Sequence, residues 1–214
     1  MASYKQSNKQ SGLENWDAQY DPQDGSNLDG CNLAGRLIIA SPAMGDKRFH
    51  GTVIYMCVHD SQQAMGIIIN RPKPDLKLSS MLPHLNVKGP VTYEDTAVLY
   101  GGPVETERGF VLHSRDYLDP DNSLPLSDTL ALTTSKSVLK ALTSPNAPKK
   151  AVLALGYAGW DSGQLDNELM HNSWLVAPAN DDIIFTGEPR HKWKQALSSL
   201  GITPEFLSAS AGHA

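Results

Sequence analysis

From residue 37 onward the chain is a succession of short apolar runs separated by polar turns. Residues 37–40, 52–58 and 65–69 are continuous and rich in β-branched side chains, the pattern of strands buried on both faces. Ser41-Pro42 closes the first run and Asn70-Arg71-Pro72 the third. The second and third are joined by a polar segment, 59–64, whose length suits an antiparallel hairpin. Further strands are predicted at 97–100, 110–113, 130–133, 151–155, 174–177 and 183–185.

Helical spacing shows in four places. Leu78, Met81, Leu82 and Leu85 share a face after Asp75, with Pro83 keeping that helix short or kinked. Thr134 and Ser135 cap a stretch carrying Val138, Leu139 and Leu142, stopped by Pro145. Asp161 begins a helix with Leu165 and Leu169. Pro189 opens another with Trp193, Ala196, Leu197 and Leu200 on one stripe, ended by Gly201. Strands come in clusters with helices between only some of them. That favours a mixed α+β layer fold over a regular doubly wound repeat.

The first 30 residues break this pattern. Eight of them are hydrophobic, without helical or strand period, so burial cannot offset their ordering entropy. They are read as a flexible polar tail, and residues 31–214 as one compact domain. The tail holds two lysines and five acids, net −3, which leaves only −2 of the chain's −5 for the body. The acidity thus describes mostly the tail. The case against direct DNA binding therefore rests on the lack of a recognition motif.

At 214 residues and 40% hydrophobic, the chain can bury a core without disulfide staples. No apolar run approaches the roughly 20 residues of a membrane-spanning helix. The N-terminus has no apolar h-region, and Cys31 and Cys57 are too few for a disulfide framework, so a reducing cytoplasm is expected. Cys57, in mid-strand among apolar neighbours, reads as a small core residue.

Two glycine-rich segments are the first candidates for chemistry. Gly101-Gly102-Pro103-Val104 follows a strand and reads either as a tight turn or as a loop presenting N–H groups to an anion. Gly156-Tyr157-Ala158-Gly159-Trp160-Asp161 reads as a strand-to-helix junction. It lacks the Gly-Lys-Ser/Thr of a P-loop and the Ser of a nucleophile elbow. Asp161 and Gln164 stand in N-cap to N3 relation, and Trp160 can plug the core beneath the turn. Gln164 and Glu168 share one helix face.

The seven histidines show no metal-ligand spacing, and neither a metal nor a cofactor is expected. Arg190, Lys192 and Lys194 read as a solvated face around an inward Trp193.

In this order, the segments 37–44, 64–72, 101–104 with 109–113, and 155–160 with 163–165 and 168–169 resemble the YqgE/AlgH family, as do the closing residues 211–214. The resemblance implies a single compact α+β domain with a mixed, mostly antiparallel β-core flanked by helices. It also implies a bacterial cytosolic protein with a transcriptional-regulator label, and it supplies no reaction or catalytic residue.

Two functions are weighed, beside a third reading in which the motifs are purely architectural and hold strand turns in place. The favoured one is a non-enzymatic regulatory protein that binds an unidentified protein or small-molecule partner. Its ligand-binding candidates are Asn70, Arg71, Gly101, Gly102, His113, Gly156, Trp160, Gln164 and Glu168. The alternative is a hydrolase with a pocket between the 101–103 loop and the 156–168 junction, with His113 as base and Glu168 as acid or ligand.

Overall fold

The apolar runs become strands of one strongly curled sheet, and the helices between them cover its faces. The computed structural model describes residues 32–85, 87 and 96–203. The expected tail, Cys31 and the closing residues 211–214 lie outside the described residues.

In chain order the elements are β1 (Arg36–Ala40), β2 (Val53–His59), β3 (Gln63–Ile68), β4 (Pro72–Lys77) and α1 (Leu78–Met81). A 3-10 turn (Leu82–Leu85) continues α1 across Pro83. Next come β5 (Ala97–Tyr100), β6 (Val104–Ser114), β7 (Ser123–Pro125), β8 (Leu130–Thr133), α2 (Lys136–Ala141) and β9 (Ala151–Asp161). The last are α3 (Gln164–Met170), β10 (Trp174–Pro178), α4 (Asp181–Phe185) and α5 (Pro189–Ser199).

The main path of the sheet runs β10-β1-β2-β3-β9-β6-β8-β7, with β5 beside β9 and β4 beside β5. Every pairing is antiparallel except β5 with β9. The result is a sheet-dominated α+β half-barrel with five helices. The hairpin expected across 59–64 is present, with Ile54 opposite Ile68 and His59 opposite Ala64.

Strand alternation sorts the core into three bodies. One face of the sheet carries Leu37, Ile39, Tyr55, Ile67, Phe110 and Leu132, with Ile184 of α4 and Leu197 of α5 packed on it. A second body holds Ile38, Ile54, Ile68, Ala158, Trp160 and Trp174 against Leu165 of α3 and Phe49 of the 41–52 loop. The third packs Leu78 and Val138 on Val98, Val111 and Leu153. β1 and β2 are buried on both faces, as their unbroken apolar runs require.

Several expectations are corrected. Residues 183–185 are helical: the Asn180 side chain accepts from the Asp182 N–H at 2.8 Å, and two aspartates occupy the positive end of that turn. The β-branched pair Ile183-Ile184 hid this cap. The segment 156–161 is not a junction but the second half of an eleven-residue strand, and α3 begins at Gln164 after Gly163 as N-cap. Half of the expected capping box survives, since the Gln164 side chain accepts from the Asp161 N–H at 3.2 Å. Lys192 is not solvated: it is buried, and its Nζ donates to the carbonyl of Ile184 at 2.6 Å. β4 and β7, each carrying prolines, were not foreseen.

The sheet is joined at its middle by glycines. Gly101 donates its N–H to Leu155 of β9 at 2.8 Å and accepts from Ile68 of β3 at 2.9 Å. A Cβ on Gly101 would sit 2.1 Å from the Gly156 carbonyl oxygen, and one on Gly102 would sit 2.0 Å from the Tyr157 carbonyl carbon. Gly156 itself has φ +76°, which kinks β9 where its neighbour on one side changes from β5 to β3 while β6 stays on the other.

Gly101→Ala is therefore expected to cost more than about 3 kcal/mol, because backbone rather than a flexible side chain must move. Gly45→Ala, with open space around it, should stay within about 0.5 kcal/mol. Urea unfolding of both variants checks this; equal losses would remove the joint.

Candidate functional site

The candidates on β9 and α3 form one hydrogen-bonded cluster. Trp160 comes from the end of β9, and helical spacing places Gln164 and Glu168 one turn apart on α3. Trp174 opens β10. Glu168 Oε2 accepts from the indole N–H of Trp160 at 3.0 Å and from that of Trp174 at 2.7 Å. Its Oε1 accepts from Gln164 Nε2 at 2.9 Å. The Trp160 and Trp174 rings meet edge-on at 5.9 Å, and Phe49 lies 6.3 Å from the first and 5.6 Å from the second. A carboxylate that accepts three N–H groups is well satisfied, and its chemistry here is to hold.

Asn70 and Arg71 act on the loop that carries Phe49. Asn70 is buried, accepts from the Val53 N–H at 2.9 Å and donates to the Gly51 carbonyl at 2.8 Å. The Arg71 guanidinium donates to the carbonyls of Arg48 and, at 2.7 Å, His50. Asp46 turns back to accept from the Arg48 N–H and guanidinium, and that contact holds the Asp46 carboxyl below its ordinary range. Tyr100, within the field of Arg48 and Arg71, has its phenol pushed up by burial. Lys47, Arg48 and His50 remain exposed on this loop.

The glycine candidates Gly101, Gly102 and Gly156 do meet, but as backbone against backbone. The space expected to be a pocket between the 101–103 loop and the 156–168 segment is filled by the joint. Gly101-Gly102 is not a tight turn between two paired strands either: it carries the chain across β9, from β5 on one side to β6 on the other.

His113 lies elsewhere. It pairs in register with Ala151 at the start of β9, nine residues from Trp160, or roughly 30 Å of extended strand. Its side chain is fully buried. Nδ1 faces the Ser114 carbonyl at 3.0 Å, an acceptor only, so Nδ1 carries the proton. Nε2 then accepts from Thr133 Oγ1 at 2.8 Å, which in turn accepts from Ser123 Oγ at 2.7 Å. Burial lowers the His113 pKa and keeps the ring neutral. The expected base–acid pair of His113 and Glu168 does not form, because each is engaged in a different part of the sheet.

Sequence reasoning missed Trp174, Phe49 and Tyr100. Phe49 lies far from α3 in sequence, whereas Trp174 follows it closely, and the one available signal was two tryptophans flanking an amphipathic helix that carries an acid. It also missed an open depression of about 450 Å³ beside Ser114, Asp116, Lys149, Lys150 and Asp181. There Lys150 pairs with Asp181 at 2.9 Å, and Asp116 accepts from Ser114 Oγ and the Lys149 N–H. Burial pushes the Cys57 thiol up, as suits a core residue. Among the described residues no group of three or more His, Cys, Asp or Glu could hold a metal ion. No helix among them is long and apolar enough to cross a membrane.

Fold and cluster together define a curled α+β sheet protein whose glycine motifs are structural joints and whose acidic candidate is an internal strut. The chain belongs to the AlgH-like family, whose model matches residues 37–205. A UPF0301 protein of Caulobacter vibrioides (strain NA1000 / CB15N) is 46% identical over 187 residues, spanning 87% of this chain and 96% of that one. One from Rhodospirillum rubrum is 44% identical over 182 residues, spanning 85% and 94%. The solution structure of the AlgH protein from Pseudomonas aeruginosa superposes with a TM-score of 0.69 at 39% identity, covering 92% of this chain and 99% of that one. A Corynebacterium diphtheriae protein shares the fold at TM-score 0.68 and 20% identity, covering 84% of this chain and 93% of its own. The resemblance read from the motifs is thereby established.

Lys192 supplies a pH test. Burial lowers its pKa from 10.5 to about 8, so between those values the unfolded chain binds more protons than the folded one. Stability from this group therefore rises as pH climbs from 8 towards 10.5, by up to roughly 3 kcal/mol. Lys192→Met should abolish that rise, so urea unfolding curves of the two proteins converge with increasing pH. Parallel curves would contradict a buried ammonium.

Proposed function

We propose that this protein is a non-enzymatic, cytoplasmic regulatory protein that works by binding an anionic protein or small-molecule partner on the face built by the 41–52 loop, Arg71 and α3. One observation carries the reading. Asn70 and Arg71 grip the backbone of the loop, Phe49 of that loop packs on both Trp160 and Trp174, Glu168 ties both indoles to α3, and Gln164 holds Glu168. Five of the nine candidates are thus used to make one surface rigid.

A rigid surface binds without first ordering its loops, which is where much affinity is otherwise lost. On the loop and Arg71 three cations, Lys47, Arg48 and Arg71, stand against Asp46, whereas α3 contributes the acids Asp166 and Glu168, so it is the loop side of the face whose local field favours an anionic partner. The hydrolase reading gains no support from the same geometry, since its two named groups stand apart. Direct contact with DNA is disfavoured because the chain carries no recognition motif.

The double variant Lys47→Glu/Arg48→Glu is expected to keep its fold by circular dichroism. It should lose, by tenfold or more, whatever species wild type retains in quantitative affinity capture from bacterial lysate. The wild-type interaction should also weaken with added salt. An unchanged retained set, or turnover of an added substrate that survives the double variant, would overturn the reading.

A further inference from the structure

Strand β10 ends the sheet next to β1, and its outer backbone groups can be read from the register. Ser41 donates to the carbonyl of Ser173 at 3.0 Å, and Ala40 lies opposite Trp174. The pairs facing each other across β1 and β10 therefore alternate, with Leu175 and Ala177 bonded to β1. β2 confirms the phase: Ala40 donates to Thr52 on the other side of β1. The N–H and C=O groups of Trp174 and Val176, and the C=O of Pro178, point away from the sheet.

This edge has few of the devices that usually block strand pairing. Trp174-Leu175-Val176-Ala177-Pro178 contains no charge, and its one proline is the last residue. The opposite edge, β7, is only three residues long and ends in Pro125. Of the three exposed large hydrophobic residues among those described, two belong to this end of the sheet: Val176 at 38% exposure and Met170 at 74%. Val176 shares the face of Trp174, the face that α3 covers and where Met170 ends that helix.

We infer that β10 is the pairing edge for β10 of a second copy of this chain, giving an antiparallel two-fold dimer. The edge is self-complementary. With Val176 opposite the partner's Val176, the two residues exchange both of their N–H···O bonds. Each Trp174 N–H reaches the carbonyl of the partner's Pro178, so the donor missing from proline is lost only at the ends. Because the strand is uncharged, self-pairing brings no like charges together, as it would for a charged edge.

Five residues and two apolar side chains bury less than the roughly 800 Å² per partner of a stable dimer, so the association is weak. Its dissociation constant falls on the order of 0.1 mM. The edge adjoins the face of the proposed function, since Trp174 packs on Phe49 of the loop, but pairing uses the outer backbone of β10 and none of the loop's cations.

Sedimentation velocity on the full chain from about 10 μM to about 1 mM tests the proposal across that constant. A concentration-dependent monomer–dimer equilibrium is expected for wild type, and Val176→Lys should weaken it at least tenfold with an unchanged circular dichroism spectrum. In a Cys31→Ser background, Val176→Cys should cross-link to itself under mild oxidation, because directly opposed, bonded residues have Cα atoms about 5.5 Å apart. Leu118→Cys, exposed elsewhere, is the control and should cross-link far more slowly.

A chain that stays monomeric at the highest concentration would overturn the proposal. So would a dimer indifferent to Val176→Lys, or cross-linking no faster at Val176→Cys than at Leu118→Cys. A β10 edge that captures an added strand peptide while the chain remains monomeric would replace the second copy with another partner.

Discussion

The outer face of this protein depends on one carboxylate shared by two indoles. Glu168 receives the N–H of Trp160 at 3.0 Å and that of Trp174 at 2.7 Å, while Gln164 occupies its other oxygen. Hydrogen bonds to a charged group contribute about 1.5–3 kcal/mol each, and losing the acceptor would leave two indole donors unpaired in aromatic surroundings. The elements involved need such an anchor. α3 is only seven residues long and has no side-chain cap at its N-terminus, so it has little stability of its own. Among the described residues β10 is an edge strand with β1 as its one neighbour. The 41–52 loop reaches the cluster through Phe49 alone among its aromatics and is held from the other side by Asn70 and Arg71.

Most of the fold was legible because its signals are local. Unbroken apolar runs announced β1, β2 and β3, and Pro189 with Gly201 bracketed α5 as expected. The failures each have a physical cause. Residues 183–185 look like a strand because Ile-Ile has β propensity, yet the Asn180 cap decides the matter. Lys192 sits among cations in sequence and looked solvated. Its long side chain instead turns under α5 to the carbonyl of Ile184 near the end of α4, which no periodicity could show. The sheet order, with β9 at the centre and β10 beside β1, comes from long-range pairing and left no trace in spacing.

The candidate site was legible as a set of residues but not as a set of roles. Gly101, Gly102 and Gly156 were singled out as glycines of a turn, an anion-binding loop or a strand-to-helix junction. What approaches them is another strand, and the filled joint leaves no room for a ligand there. Gln164 and Glu168 were placed on one helix face and Trp160 in the core beneath the turn; hydrogen bonds to Glu168 join all three. Their shared partner, Trp174, could be found only in three dimensions. His113 was suggested by residue type, and its buried chain through Thr133 and Ser123 makes it a neutral linker between β6, β8 and β7.

The strut can be observed directly. The indole Nε1–H signals of Trp160 and Trp174 can be followed by nitrogen-15 NMR hydrogen exchange in wild type and in Glu168→Gln. If the carboxylate holds both rings, both protons exchange on the order of tenfold or more slower than a solvent-exposed indole. In the variant a neutral amide with one acceptor oxygen replaces the charged carboxylate, so both indole protons lose protection together. Trp193, bonded instead to the Ala40 carbonyl at 2.9 Å, should be unaffected. Indole protons of Trp160 and Trp174 that exchange freely in the folded wild type, or that stay protected without Glu168, would contradict the account.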